Sequence, residues 1–540
     1  FVCNGILAPD RKPNAKLAEV KAVYQYIKSA NFSPETRSFQ VKNTYDFLNL
    51  DLFELQWELL ADGVPVQSGT MSDIACASER SIRVTVPYND SSLDPSVEYL
   101  LNISYALKKE MPGIDAGHIL ASEQFTVQER PALPAVDLSG SDATLTVCAG
   151  SPITVDGTDF RYTFNADGIL TSILYRGKEF IHADHGPVFD NHRWIENDSY
   201  STIASPAECK KLSVIYPSEG NASSTKSVTV AALMSAGEFG QYITRYTVYA
   251  NGQIDLGVTF APASGDIRRL GLSMQLPEGL DKVEYYARGP WANYIDRKNS
   301  THLGVFNTTV DGFHELFVNP QTMGGREDLR YVRFSNDAGS SLLIETEGQV
   351  NMTALHHTDA ELMEAAHDFD LKPRPETILH LDYMQRGLGN GSCGQGTGTL
   401  YQYCVPSSGT YSYKLRLTPS AVTGDGYTAP SGNYSADAYI SSLKTSGATA
   451  TNIAYTSGSA PETIYTILPG SPTLTAKSPL QLQATLAGKS ASSAKMQLFV
   501  DTDGDFRFSA DEKITPSATG TWTITLPDDA PLRKYRARLI

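Results

Sequence analysis

Oxygen donors set close together in a turn are what a hard cation asks of a chain, and "DTDGDFRFSADE" (501–512) supplies them. Asp501, Asp503, Asp505 and Glu512 stand at positions 1, 3, 5 and 12 of a calcium-loop spacing. Phe506 occupies the place where the sharp turn wants glycine, and Gly504 comes two places early. Two readings therefore stay open: a calcium site, or an acidic β-turn that is simply solvated. Three histidines, His356, His357 and His367, lie in "ALHHTDAELMEAAH", but the step from 357 to 367 does not put both on one helical turn. Packed histidines at a helix end are the plainer reading. "GPWANYIDRKNS" (289–300) brings together Trp291, Tyr294, Asp296 and Arg297. That mixture suits a sugar platform, or else an Asp–Arg pair pinning a loop beneath a half-buried Trp, which the residues alone favour. "RGLGNGSCGQGTG" (386–398) has six glycines in thirteen residues, as a backbone forced through positive-φ turns requires, with no helix pattern after it to make a phosphate cradle. There is no G-x-S-x-G elbow, no Walker loop, no G-x-G-x-x-G after a strand and no H-E-x-x-H.

The elements that must position these residues are mostly strands. "AKLAEVKAVYQYI" is the clearest helix, with Leu17, Val20, Tyr24 and Ile27 spaced as one apolar face. "TDAELMEAAH" (358–367) is helix-like, and nearly everything else reads as strand and turn. In "LLADGVPVQSGTM" and "YTVYANGQIDLGVTF" an Asp-Gly or Asn-Gly sits between β-rich runs, the hairpin signal. In the second, Ile254, Leu256, Val258 and Phe260 alternate strictly and predict one buried face of an antiparallel sheet.

Length and composition leave room for three or four domains. The 540 residues are 41% apolar, with a formal charge of -16 that disfavours nucleic acid and suits a neutral substrate. No run of about 18 apolar residues occurs and no charged-then-apolar leader precedes Phe1, so neither a membrane span nor a signal peptide is expected in this piece. The six cysteines are dispersed without a C-x-x-C pair, which argues against zinc and implies no disulfide framework. Cys393 and Cys404 flank the glycine-rich stretch and could bridge, with two buried free thiols the preferred reading. Composition shifts place an immunoglobulin-sized β domain up to about residue 130, a Pro/Ser-containing linker at 131–142, one large sandwich at 143–418, and a Ser/Thr/Ala/Gly-rich β module at 419–540.

Four segments, taken together, resemble glycoside hydrolase family 2 β-galactosidases. "FVCNGILAPDRKPNAKLAEVK" is similar to the stretch that closes the family's catalytic (β/α)8 barrel. "YYARGPWANYIDR" is similar to its G-P-x-E-N-Y-x-D-R signature, with Ala292 at the acidic place. "NPQTMGGREDLRYVRF" keeps Pro320, Gln321, Gly324, Arg326, Asp328 and Arg330 of P-Q-E-N-G-N-R-x-D-V-R-W, and "HLDYMQRGLGNGSCG" is similar to the D-x-x-x-x-G-L-G-x-x-S-x-G loop. "GPVFDNHRWIENDS" (186–199) keeps Arg193, Asn197 and Asp198 of another family stretch but lacks its R-A-P.

The resemblance implies a mainly β chain. Residues 1–30 would be a barrel remnant with one helix, 31–130 an immunoglobulin-like sandwich, 143–418 a galactose-mutarotase-like super-sandwich equivalent to the family's small subunit, and 419–540 an appended β-sandwich. It implies a retaining hydrolase of terminal β-D-galactosyl residues, whose two catalytic glutamates lie upstream on barrel strands this chain does not contain. No catalytic residue is therefore expected here, and the isolated chain should be inert. The resemblance also implies sodium held by Phe1 and Asn4, magnesium elsewhere in the intact enzyme, and a sugar-facing rim of Asn4, Gly389, Asn390, Ser392 and Cys393. Cys393 and Gly394 replace the tryptophan that some members place in that loop. The expected partners are β-galactosides and the missing barrel portion. The appended module points weakly to a secreted or periplasmic protein. The alternative is a non-catalytic carbohydrate-binding or assembly module. A mutarotase-like activity would need a histidine facing a carboxylate in the sandwich cleft, a pair the sequence by itself cannot place.

Overall fold

The structure is a computed structural model. It describes residues 6–8, 10–91, 93–139, 143–196, 207–217, 221–222, 224–264, 267–389, 398–421, 437–448, 452–457, 459–460, 472, 478–500, 508, 511–525 and 537–540. Two compact units emerge: Phe1–Asn336 with Ser340–Ser420, and Asp337–Gly339 with Ala421–Ile540.

The first unit opens with helix Ala15–Val23. Asn14 caps it, its side-chain oxygen accepting from the Lys16 and Leu17 amides at 3.0 and 3.3 Å. The helix is shorter than its apolar spacing predicts. Tyr24 ends it at 74% exposure, and Ile27 already belongs to the first strand, where it is buried. The apparent 3.6-residue face joins two elements: Leu17 and Val20 are half-buried on the helix, and Ala15 is its one buried residue.

Next comes a sandwich of two sheets. One holds Ile27–Ser33, Ser38–Asn43 and Ser81–Thr85; the other runs Val64–Met71, Phe53–Ala61, Tyr99–Leu107, Ile119–Gln128. Alternating inward residues Phe39, Val41, Leu55, Trp57, Leu101 and Ile103 share one core. The predicted hairpin forms on Asp62 and Gly63, with φ of 45° and 80°, the left-handed pair that a two-residue turn needs. A Cβ on Gly63 would sit 2.7 Å from the Tyr286 ring, so this turn also packs on the larger sandwich. Beside it, buried Glu98 accepts from Arg330 Nη2 at 2.7 Å, Arg330 Nε at 3.1 Å and Tyr286 Oη at 2.5 Å.

The larger sandwich is built on a nine-stranded antiparallel sheet. Its order is Glu208–Ile215, Ser227–Ser235, Gly240–Tyr249, Ile254–Pro262, Tyr411–Ser420, Ser341–Glu347, Tyr331–Ser335, Lys282–Gly289, His302–Thr309. A four-stranded sheet (Val188–Phe189, Arg269–Leu276, Thr377–Gln385, Asn351–Leu355) and a five-stranded one spanning Thr146–Glu179 complete it. Ile254, Leu256, Val258 and Phe260 are each at most 1% exposed, as their alternation predicts. The opposite face is not simply wet, because Asp255 is buried against Arg416 at 2.7 and 3.0 Å. The 358–367 segment supplies one short helix, Asp359–Glu364, started by a Thr358–Glu361 capping box.

The second unit has two small antiparallel sheets, one of Ala454–Thr456, Tyr439–Ser446, Leu480–Ala487 and Thr521–Ile524, the other of Lys513–Ile514, Leu498–Val500 and Ala537–Leu539. They close over Leu443, Leu482, Leu498, Val500, Ile524 and Trp522, the last 1% exposed.

Candidate functional site

Where strand Lys282–Gly289 ends, the chain enters "PWANYIDR" through a cis Gly289–Pro290 bond. Asn293 holds that turn in shape. Its amide nitrogen donates to Arg288 O and Trp291 O at 3.0 and 2.9 Å, while its side-chain oxygen accepts from Glu327 N at 2.8 Å. Arg326 laces the same turn from the 319–330 segment, donating to Pro290 O at 2.8 Å, Gly325 O at 2.9 Å and Tyr285 Oη at 3.1 Å. Its guanidinium lies 4.9 Å from the Phe313 ring centre. Two stretches about thirty residues apart in sequence thus form one rigid corner.

Asp296 carries that rigidity into the glycine-rich stretch. Its two carboxylate oxygens accept from the Leu388 and Gly389 amides at 3.0 and 2.9 Å. Gly387 must be glycine for this contact, because a Cβ there would meet Asp296 at 2.6 Å. The base of the loop is fixed from other sides too: buried Arg193 donates to Arg386 O and Gly387 O, Thr399 Oγ1 donates to Gly387 O at 3.2 Å, and Gly387 N donates to Tyr403 O at 2.9 Å. The expected Asp296–Arg297 pair does not form. Asp296 faces two backbone amides, and Arg297 stacks on Tyr294 at 5.2 Å while donating to Ala292 O. The reason is local geometry: adjacent side chains leave the turn in different directions, Asp296 toward the distant 388–389 amides and Arg297 back onto its own turn.

Helix Ala15–Val23 reaches the same place. Ala15 joins Ala292, Tyr294 and Leu388 in a small apolar cluster, and Glu19 accepts from Asn299 N, Asn299 Nδ2 and Ser300 N at 2.8 to 3.1 Å. The four segments that carry the family resemblance therefore meet around Asp296. Beside them opens a cavity of about 370 Å³ lined by Asp296, Arg297, Leu388, Gly389, Leu400 and Tyr403.

A second polar constellation is sealed in the core. Arg269, 1% exposed, pairs with Asp382 at 3.0 Å and with Asp359 at 3.4 Å; Asp359 lies 3.7 Å from His380 Nε2 and accepts from Thr322. Burial pushes Asp382 up to about 7 despite Arg269, and pushes His380 down to about 4, helped by Arg269. Burial would also raise Asp359, but Arg269, His380 and Thr322 hold it below the usual carboxylate range. The structure thus supplies the facing histidine and carboxylate that the sequence could not place, since strand Thr377–Gln385 and helix Asp359–Glu364 bring them together. Both are at least nine-tenths buried and tied to an arginine, so they act as a core network.

Among the expected site residues, Gly389 lines the cavity. Phe1, Asn4, Asn390, Ser392, Cys393, Asp501, Asp503 and Asp505 lie outside the described residues, as do Asn197 and Asp198. Glu512 is 5% exposed. Cys404 is a half-buried free thiol. The three histidines part company: His357 is buried, His356 Nδ1 contacts Glu376 O at 3.0 Å, and His367 stacks on Phe369. Among the described residues no group of three His, Cys, Asp or Glu is arranged to hold a metal. Sequence reasoning missed Tyr403, Arg193 and Glu19 as builders of the site. Only the Gly387–Gly389 pattern hinted that something presses closely there.

Comparison with known proteins follows the same segments. The family model of the β-galactosidase small chain matches residues 156–417, and that of β-galactosidase domain 4 matches residues 39–128. A β-galactosidase of Priestia megaterium is 25% identical over 437 residues, covering 78% of this chain and 41% of that protein. One from Halalkalibacterium halodurans is 26% identical over 407 residues, covering 72% and 39%. The chain therefore spans about two fifths of the length of these curated relatives. Among solved structures, a galactose 1-epimerase from Lactobacillus acidophilus NCFM covers 52% of this chain and 98% of its own, at a TM-score of 0.30 and 8% identity, a likeness too slight to argue from. Two family models in order along one chain, with relatives over three quarters of it, give the conclusion that this chain belongs to the β-galactosidase family and carries that family's domain 4 and small chain.

Proposed function

We propose that this chain is the C-terminal portion of a retaining β-galactosidase that hydrolyses terminal non-reducing β-D-galactosyl residues, and that it shapes and rims the active site without supplying the catalytic carboxylates. The observation that carries this reading is the convergence on Asp296. A rim that must approach a substrate held by another domain needs a loop whose base does not move. The loop base at 386–389 is pinned by Asp296, Arg193, Thr399 and Tyr403, with the N-terminal helix packed against the same corner. Retaining chemistry in this reading needs two carboxylates on a barrel that lies outside the chain. The reading carries with it sodium at Phe1 and Asn4 and magnesium elsewhere in the whole enzyme, on resemblance alone.

The test is complementation. The purified 540-residue chain should not hydrolyse a nitrophenyl β-galactoside, and should restore hydrolysis when mixed with the barrel-containing portion of the enzyme. Hydrolysis by the chain alone would contradict the proposal. Sugar affinity without rescue would instead favour a non-catalytic carbohydrate-binding module.

A further inference from the structure

We propose that Asp359 is a relocated positioning carboxylate: from helix Asp359–Glu364 it does what a glutamate at position 322 would do, anchoring Arg269 and Thr322 and through them the 191–195 strap that braces the glycine-rich loop. The inference deepens the proposed function, on which only its activity readout rests.

The strap follows strand Val188–Phe189 and belongs to no helix or strand, so side chains must hold its backbone. Arg269 holds one end. Its Nε donates to His192 O at 3.0 Å and its Nη1 to Thr353 Oγ1 at 2.9 Å, while Asn191 Oδ1 accepts from the Arg268 and Arg269 amides at 2.6 and 3.3 Å. Thr322 holds the other end: its hydroxyl accepts from Trp194 N at 2.9 Å, and its amide donates to Trp194 O at 2.8 Å. Between the two stands Arg193, donating to Arg386 O and Gly387 O. With His192 and Trp194 fixed, Arg193 is fixed as well.

Both holds end on Asp359. Its Oδ1 accepts from the Thr322 hydroxyl and from Trp194 N at 3.4 Å, and its Oδ2 lies 3.4 Å from Arg269 Nη2. Asp382 is nearer to Arg269, at 3.0 Å, but its other oxygen is buried without a hydrogen bond. Burial pushes Asp382 up to about 7. Against the same upward push, Arg269, His380 and Thr322 hold Asp359 below the usual carboxylate range, so Asp359 is the more fully charged partner of the guanidinium. The helix that carries it is only six residues long and is kept in place by its Thr358–Glu361 capping box and by Arg374 Nε, which donates to Glu361 at 2.8 and 2.9 Å.

Position 322 is where this chain departs from the family stretch P-Q-E-N-G, with Thr322 at the place of the glutamate. A threonine hydroxyl and a glutamate Cγ are each one bond from Cβ. The glutamate carboxylate oxygens lie two bonds further, about the span of one short hydrogen bond. A glutamate at 322 would therefore put its carboxylate where Asp359 Oδ1 now sits. Two carboxylates cannot share that place beside one guanidinium unless one takes a proton, and none would leave Arg269 buried without its charged partner. The chain keeps one, on the helix.

Four full-length chains test this: unsubstituted, Thr322→Glu, Asp359→Ala, and the double substitution, which returns the carboxylate to 322 at nearly constant volume. Each single substitution should lower the melting temperature by about 5 °C or more, and the double should recover to within about 2 °C. Amide hydrogen exchange at Trp194, Thr322, Leu388 and Gly389 should quicken about tenfold or more in Asp359→Ala and return in the double, with strand Ile254–Pro262 changing less. A role in stability alone would quicken both regions alike. Mixed with the barrel-containing portion, Asp359→Ala should raise KM for a nitrophenyl β-galactoside about threefold or more with kcat nearly kept, and the double should restore it. Losses that simply add in the double, or exchange at Leu388 and Gly389 unmoved in Asp359→Ala, overturn the inference. If both single variants fail to fold, folding of the double supports it and failure of the double overturns it. Absence of rescue by the unsubstituted chain sinks the proposed function and leaves melting and exchange to decide the relocation; rescue with additive losses does the reverse.

Discussion

Glu327 shows what a single side chain does when the fold outvotes its chemistry. It lies in the middle of "GGREDLR", which reads as a polar turn, yet it is 3% exposed, and burial pushes its carboxyl up to about 8 against the opposing pull of Lys298. The native state therefore holds a proton that the unfolded chain releases near 4.5, and stability falls as pH rises from there toward 8. Asp382, raised to about 7, adds to the same slope; His380, lowered to about 4, works the other way, costing stability as pH drops below 6.5. Glu327→Gln removes one ionisation without changing size. Its melting temperature should exceed that of the unsubstituted chain at pH near 8 and match it near 4.5, the stability difference at the alkaline end being of order several kcal/mol. Equal melting curves at both ends would refute the assignment. Nothing in the local sequence distinguishes Glu327 from a glutamate on a solvated turn, because its burial comes from what packs over the turn.

At the scale of elements, the glycine-rich stretch was legible as a tight turn, and what it turns around was not. Gly387 and Gly389 announce backbone that needs room; that the room at Gly387 is taken by Asp296, about ninety residues earlier, follows only from the packing of the loop after strand Thr377–Gln385 on the loop after strand Lys282–Gly289, two strands of different sheets. Asp296→Asn keeps the shape but presents an amide N–H to one of the two amides. Exchange protection at either Leu388 or Gly389 should fall by about one to two orders of magnitude, a loss of about 1.5–3 kcal/mol locally, measured by amide hydrogen exchange. Unchanged protection at both would show that Arg193 and Thr399 suffice. The N-terminal helix teaches the converse lesson. The helix itself is legible, but the spacing Leu17, Val20, Tyr24, Ile27 runs through its end, since a 3.6-residue pattern does not report where the backbone leaves the helix.

At the scale of the whole molecule, buried Glu98 with Arg330 and Tyr286 is one of the contacts that tie the immunoglobulin-like sandwich to the larger one. Glu98 is 1% exposed, and Glu98→Ala would leave two donors without their acceptor. Destabilisation of about 3–5 kcal/mol is expected, with the two sandwiches beginning to melt separately in calorimetry. A single transition at the unsubstituted temperature would show that the remaining contacts, among them Gln124 with Leu303, Arg130 with Thr346 and Gly63 on Tyr286, join them without it. Hairpin turns, alternating strands and the family motifs are properties of neighbours in the chain, and the sequence by itself determined them: a period of two, an Asp-Gly between β-rich runs and a cluster of invariant-sounding glycines need no partner to be read. Only the tertiary structure decided which charges face which. It put Asp296 on backbone amides instead of Arg297, closed His380 and Asp359 into the core beside Arg269, and left Tyr403 lining an open cavity. Each of these depends on segments far apart in sequence packing against one another, and on how much water that arrangement leaves around a side chain.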